Sequence, residues 1–164
     1  MPTDTSLSDD HAVLPEDATI QDFLTYKIRV LYLLSGRKTT RYLAGRFDLT
    51  LIEWWLLGQL AIHSPATVTD MVELTMHDKA QVSRGLRQLH ARGYSTREEH
   101  PDDARSVYYK ITSLGMNVYK EILPNRVAAQ RDILKVLDIE ERKVVEGALD
   151  KLIKHFVNDA KLHD

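Results

Sequence analysis

Residues 78–93, DKAQVSRGLRQLHARG, place Val82, Leu86 and Leu89 at i, i+4 and i+7, the spacing of one helical face. Asp78 with Gln81 makes a capping box, and Gly93 supplies the stop. The face opposite the apolar stripe then presents Ala80, Ser83, Arg84 and Arg87, with Lys79 and Gln81 at the N-terminal turn. Arginine pairs bidentately with guanine and glutamine with adenine, while serine and lysine bind backbone oxygens. Small Ala80 would let the helix approach a groove closely.

Behind this helix the period changes. Residues 94–112, YSTREEHPDDARSVYYKIT, flank a polar tip with β-branched and aromatic residues, which predicts a hairpin with a long loop and strands at 94–98 and 106–111. Ahead of it, Thr50 and Glu53 form a capping box for a helix carrying Trp54, Leu56, Leu57 and Leu60, and Ser64-Pro65 ends it. A short helix over about 69–74 follows, and a compact turn at Thr75-Met76-His77 joins it to the helix first described. Helix, short helix, helix, hairpin is the order of a winged helix-turn-helix. Flanking helices are expected at 20–43 and 113–137, the latter bent at Pro124, and from an Asp138/Glu141 capping box to the end. The fold class is thus mainly α with a small β-hairpin wing.

Charge is segregated although the 164 residues carry a net −2. Residues 1–22 hold six acids and no Lys or Arg, whereas 23–47 and 79–97 hold Lys and Arg but no acid. A solvated face normally mixes both signs, so a basic surface purged of acids points to a polyanion. The absence of cysteine excludes disulfides, thiolate chemistry and cysteine-ligated zinc. The seven histidines show no metal-ligand spacing; His77 and His90 are expected to face phosphate or solvent. No Gly-rich phosphate loop or Ser/His/Asp arrangement is legible, and Asp102 with Asp103 on a turn seldom converge on one atom, so neither enzyme nor cofactor is expected. No apolar run approaches the roughly 20 residues of a membrane span, and the start does not resemble a signal peptide; a cytoplasmic location follows as an expectation.

The runs DKAQVSRGLRQLHARGY and DDARSVYYKITSLG resemble the multiple-antibiotic-resistance regulator (MarR) family of bacterial transcription factors. Val82, Ser83, Arg84, Leu86, Leu89, Arg92 and Gly93 match its recognition helix; Asp103 and Arg105, then Thr112 and Gly115, match its wing. Ala104 stands where a second Arg is frequent, Ile111 where Leu is, and Gly85 weakens a helix by about 1 kcal/mol relative to Ala. The resemblance implies a homodimer whose terminal helices pair and whose two recognition helices, about 34 Å apart, meet a pseudopalindromic operator in double-stranded DNA. It also implies Arg105 in the minor groove, held by Asp103, against the plainer alternative of a solvated turn ion pair.

The expected domains are a mobile acidic arm at 1–18, a helical dimerisation region at 19–47 and 113–164, and a winged helix-turn-helix at 48–112. Ile20, Leu24, Val145, Leu149, Leu152 and Phe156 are the expected dimer-interface positions. Trp54 and Trp55 are about 100° apart on a helix and cannot both face one core, so Trp54, in register with Leu57, is placed there. Trp55 is left either packed at an interface or lining a cavity. Family regulators bind small aromatic or phenolic anions in such a cavity, where Arg29 and Tyr32 could supply a cation and a phenol. The function expected is a DNA-binding regulator, a repressor released by a small ligand. The alternatives are a regulator with no effector and a protein–protein adaptor on the same fold.

Overall fold

The computed structural model describes Leu14 and residues 16–100 and 103–163, with the side chains of 100, 103–105 and 160–163 left aside. Most of the expected acidic arm therefore lies outside the described residues. Six α-helices and one hairpin follow in the order α1 Leu24–Phe47, α2 Leu51–His63, α3 Val68–Thr75, α4 Lys79–Ala91, β1 Ser95–His100, β2 Asp103–Ile111, α5 Ser113–Leu134 and α6 Ile139–His163.

Local chemistry sets most of these boundaries. Thr50 Oγ1 accepts from the Glu53 N–H while Glu53 Oε2 accepts from the Thr50 N–H, closing the capping box of α2. Thr67 with Asp70 and Asp138 with Glu141 do the same for α3 and α6. At α4 the Asp78 half is present, Oδ1 accepting from the Gln81 N–H at 2.8 Å. Asp48 and Met76 end α1 and α3 in the left-handed region, with φ of 51° and 54°.

Several expectations are corrected. A 3-10 turn at Ile20–Asp22, capped by Thr19, precedes α1, which starts at Leu24 and runs through Gly45 to Phe47. The strands extend further toward the tip than expected, with a register shift between Glu99 and His100. The isolated pairing of Ala66 with Tyr109, bonded in both directions at 3.0 and 2.8 Å, anchors the hairpin to the segment after α2. Helix α5 continues through Pro124 and stops at Leu134.

The core joins α1 and the winged module. Leu43, Leu56, Leu57, Leu60, Met71, Val82, Leu86, Leu89 and Ile122 are fully buried. Leu43 and Ile122 bring α1 and α5 to it; no described side chain of α6 is buried. Ile20 and Leu24 are 64% and 54% exposed and Phe156 61%, with Val145 and Leu149 also exposed and Leu152 half-buried. Apolar surface of that extent is rarely left to water.

Candidate nucleic-acid interface

Helix α4 is amphipathic in a strict sense. Val82, Gly85, Leu86 and Leu89 are buried, and Lys79, Ala80, Gln81, Arg84 and Arg87 are exposed, with Ser83 on the flank and half-buried. Among the described residues, Lys79, Arg84 and Arg87 have no ion-pair partner, so three cations are left on one open face. The helix N-terminus adds its positive dipole end to the same region. Met76, 78% exposed at the turn, stands beside it and was not anticipated as part of this surface.

Not every cation of the basic run 79–97 belongs to that face. Arg92 Nη1 lies 3.0 Å from Glu53 Oε1, and Nη2 lies 3.2 Å from Asp48 Oδ2. The two histidines have local partners, His90 at an exposed position and His77 half-buried. His90 Nδ1 is 2.9 Å from the Ser95 carbonyl, tying α4 to β1, and His77 Nδ1 is 2.9 Å from the Thr75 carbonyl. On the hairpin, Lys110 is paired with Glu98, while Arg97 is exposed. Asp103 and Arg105 fall on β2, but their side chains lie outside the described residues. Among the described residues no group of three or more His, Asp or Glu could hold a metal ion, and no helix is long and apolar enough to cross a membrane.

A cavity of about 730 Å³ opens between α1, α2 and α5. Its walls include Tyr32, Trp54 and Trp55 with Leu31, Leu51 and Ile133; Arg29 is exposed on α1 and is not part of the wall. The cations at this cavity are Lys38 and Arg126 instead. Arg126 donates to Thr39 Oγ1 and to Asn125 Oδ1 and sits 5.0 Å from the Tyr42 ring centroid, while its Nε is buried with no hydrogen-bond partner among the described residues. Asp132 also lines the cavity; its hydrogen bond from Lys135, and then that lysine's charge, hold its carboxyl below the ordinary range. Arg126 lies about a hundred residues from Arg29 in sequence, and only the packing of α5 against α1 brings it to the wall.

Four similarities bear on this geometry. A family model described as MarR family matches residues 47–106. An uncharacterized HTH-type transcriptional regulator of Bacillus cereus (strain ZK / E33L) is 29% identical over 111 residues, 67% of this chain and 74% of that protein. Among solved structures, BpsR of Bordetella bronchiseptica, described with regulation of its DNA binding by 6-hydroxynicotinic acid, has a TM-score of 0.74 at 21% identity, covering 82% of this chain and 96% of that one. The MepR–DNA complex of S. aureus also has a TM-score of 0.74 at 21% identity, covering 81% and 98%.

Proposed function

This chain belongs to the MarR family, and from that premise we propose that it is a homodimeric repressor that binds a pseudopalindromic operator through α4 and the hairpin. The observation that carries the reading is the cationic face of Lys79, Arg84 and Arg87, without ion-pair partners among the described residues, on a helix whose other face is buried. Ala80, Gln81 and Ser83 complete the base- and phosphate-contacting set, with Asp103 and Arg105 acting from the wing. The domain division is that of the sequence: 48–112 contacts DNA, while 19–47 and 113–164 pair the protomers. Ile20, Leu24, Val145, Leu149, Leu152 and Phe156 lie in the paired surface, which supplies α6 with the apolar partner its own protomer does not. A regulator of this kind works on the chromosome, in the cytoplasm.

Release is assigned to the cavity between α1, α2 and α5. Tyr32 and Trp55 offer a phenol and an aromatic wall to a small aromatic anion, with Arg126 and Lys38, not Arg29, as the cations. A ligand preferring a dimer with misplaced α4 helices lowers operator affinity by its ratio of affinities for the two states. The resemblance to BpsR, whose DNA binding is regulated by 6-hydroxynicotinic acid, supports this chemistry.

The test is selection of duplexes from a random pool by the purified protein, followed by fluorescence anisotropy over a salt series. A recovered inverted repeat, bound with a steep salt dependence, is expected. Recovery of no sequence, with no salt-dependent binding to any duplex, would leave the adaptor reading in its place.

A further inference from the structure

Arg92 is part of an acid-free basic run, yet its charge is used inside the protein. It is the C-cap of α4, its N–H bonded to the carbonyls of Gln88 and His90. Its guanidinium bridges Glu53, near the start of α2, and Asp48, the left-handed cap of α1. Glu53 is buried, and its other oxygen accepts from the backbone N–H and the hydroxyl of Thr50 at 2.7 and 2.9 Å. One carboxylate oxygen is therefore committed to the α2 cap; the other lies 3.0 Å from Arg92 Nη1 as an ion pair, with Nη1 buried and without a hydrogen-bond partner among the described residues.

We propose that the Arg92–Glu53 pair is a strut that sets the orientation of α4 against the α1–α2 corner, so that Arg92 governs DNA affinity as a positioning residue without touching DNA. The inference rests on the assignment of α4 as the DNA-contacting helix. Helix α4 is seated on α2 near its middle, where Gly85 meets Leu56. Val82, Leu86 and Leu89 bury along the same side and His90 bonds the Ser95 carbonyl, so the helix is held along its length, and what an ion pair at its C-terminal end can set is its exact tilt. Six residues at 1.5 Å rise put the first turn about 9 Å from Gly85, so a swing of about 10° displaces Lys79 and its neighbours by ~1.5 Å. Hydrogen bonds of 2.7–3.2 Å do not survive that displacement. Arg92, seven residues beyond Gly85 at the other end, adds a charged contact to that seat. The guanidinium reaches two carboxylates at once, hydrogen-bonding Asp48 through Nη2 and pairing by charge with buried Glu53 through Nη1. The pair also explains why a buried glutamate is tolerated in α2, since Arg92 compensates its charge.

The test uses the full chain and a duplex recovered from a random pool by the wild-type protein. Affinity is measured over a KCl series for R92Q, E53Q, the double variant, R92K and, as a phosphate- and base-contact reference, R84A. Circular dichroism at the same temperature gives the folded fraction of each. The expected result is that R92Q and E53Q each weaken binding at least tenfold per folded molecule, with the wild-type salt slope retained. The double variant should be no weaker than the weaker single variant, and R92K should recover part of the loss. R84A should shallow the slope. A slope reduced by R92Q as much as by R84A would make Arg92 a direct DNA contact and overturn the strut. So would unchanged affinity in E53Q, multiplying losses in the double variant, or a loss that vanishes once the folded fraction is corrected. Failure to recover any duplex overturns the DNA assignment itself, a result distinct from each of these.

Discussion

Gly85 of α4 and Leu56 of α2 approach so closely that a Cβ built on Gly85 overlaps Leu56 Cδ1. By helix propensity alone, Gly85→Ala would stabilise α4 by about 1 kcal/mol. Leu56 is fully buried, so its Cδ1 has to move within the core, and overpacking, typically ~1–3 kcal/mol, opposes that gain. The expected outcome is a net loss of stability, a melting temperature lower by roughly 2–8 °C for about 1–2 kcal/mol in a chain of this size. A higher melting temperature would mean that the two helices can part at no cost.

Arg84 and Arg87 face away from the buried stripe of α4, so their removal should leave the fold intact. Arg84→Ala and Arg87→Ala are each expected to weaken operator binding, by about 1–3 kcal/mol per base-reading contact, and to relax the sequence preference. Circular dichroism should be unchanged. Wild-type affinity in both variants would place the DNA surface on another face.

The wing is tested by Arg105→Ala. Loss of a minor-groove guanidinium should reduce the preference for narrow, A·T-rich flanks and leave the central base preferences nearly intact. The slope of log affinity against log salt should shallow by about one unit per protomer, or about two for the proposed dimer. Asp103→Ala should give a weaker version of the same change. An unaltered slope and flank preference would reduce this part of the hairpin to a solvated turn.

Assembly is tested where the protomer itself does not need the side chain. Phe156 is 61% exposed, so Phe156→Asp leaves the protomer core untouched, and it should convert the dimer to monomer by light scattering. Leu149→Asp should act in the same direction. Operator affinity should fall by more than one half-site's worth, because the second half-site loses its intramolecular advantage. A normal dimer from both variants would remove α6 from the interface.

The cavity is tested by titrating 6-hydroxynicotinic acid against tryptophan fluorescence, since Trp54 and Trp55 both line the wall. Binding should quench the emission and lower operator affinity, and Arg126→Gln should weaken it by about tenfold or more, the scale of a lost charge-assisted hydrogen bond of ~1.5–3 kcal/mol. Arg29→Gln should leave it unchanged. The reverse ranking of the two arginines would return the anion site to the first part of α1.

Much of this molecule is determined locally. The boxes at Thr50/Glu53 and Asp138/Glu141 and the apolar spacing of Val82, Leu86 and Leu89 act within one or two helical turns, so the sequence alone placed these helices and named the exposed face of α4. The core role of Trp54 followed the same way, from its register with Leu57. What tertiary structure decided is which charges are free and which are spent. Arg84 and Arg92 look alike in the sequence, both basic residues of one acid-free run. Arg92 turned out to be paired because Glu53 and Asp48, 39 and 44 residues away, are brought to it by the packing of α2 and α1. Gly85 read as a weak point in a helix and is instead the place where two helices touch. Arg126 replaced Arg29 at the cavity for the same reason, since the wall is made where α5 crosses α1. Periodicity and capping depend on neighbours three or four residues apart and are written in order along the chain. Charge pairing and close approach depend on elements that meet only after the core has formed.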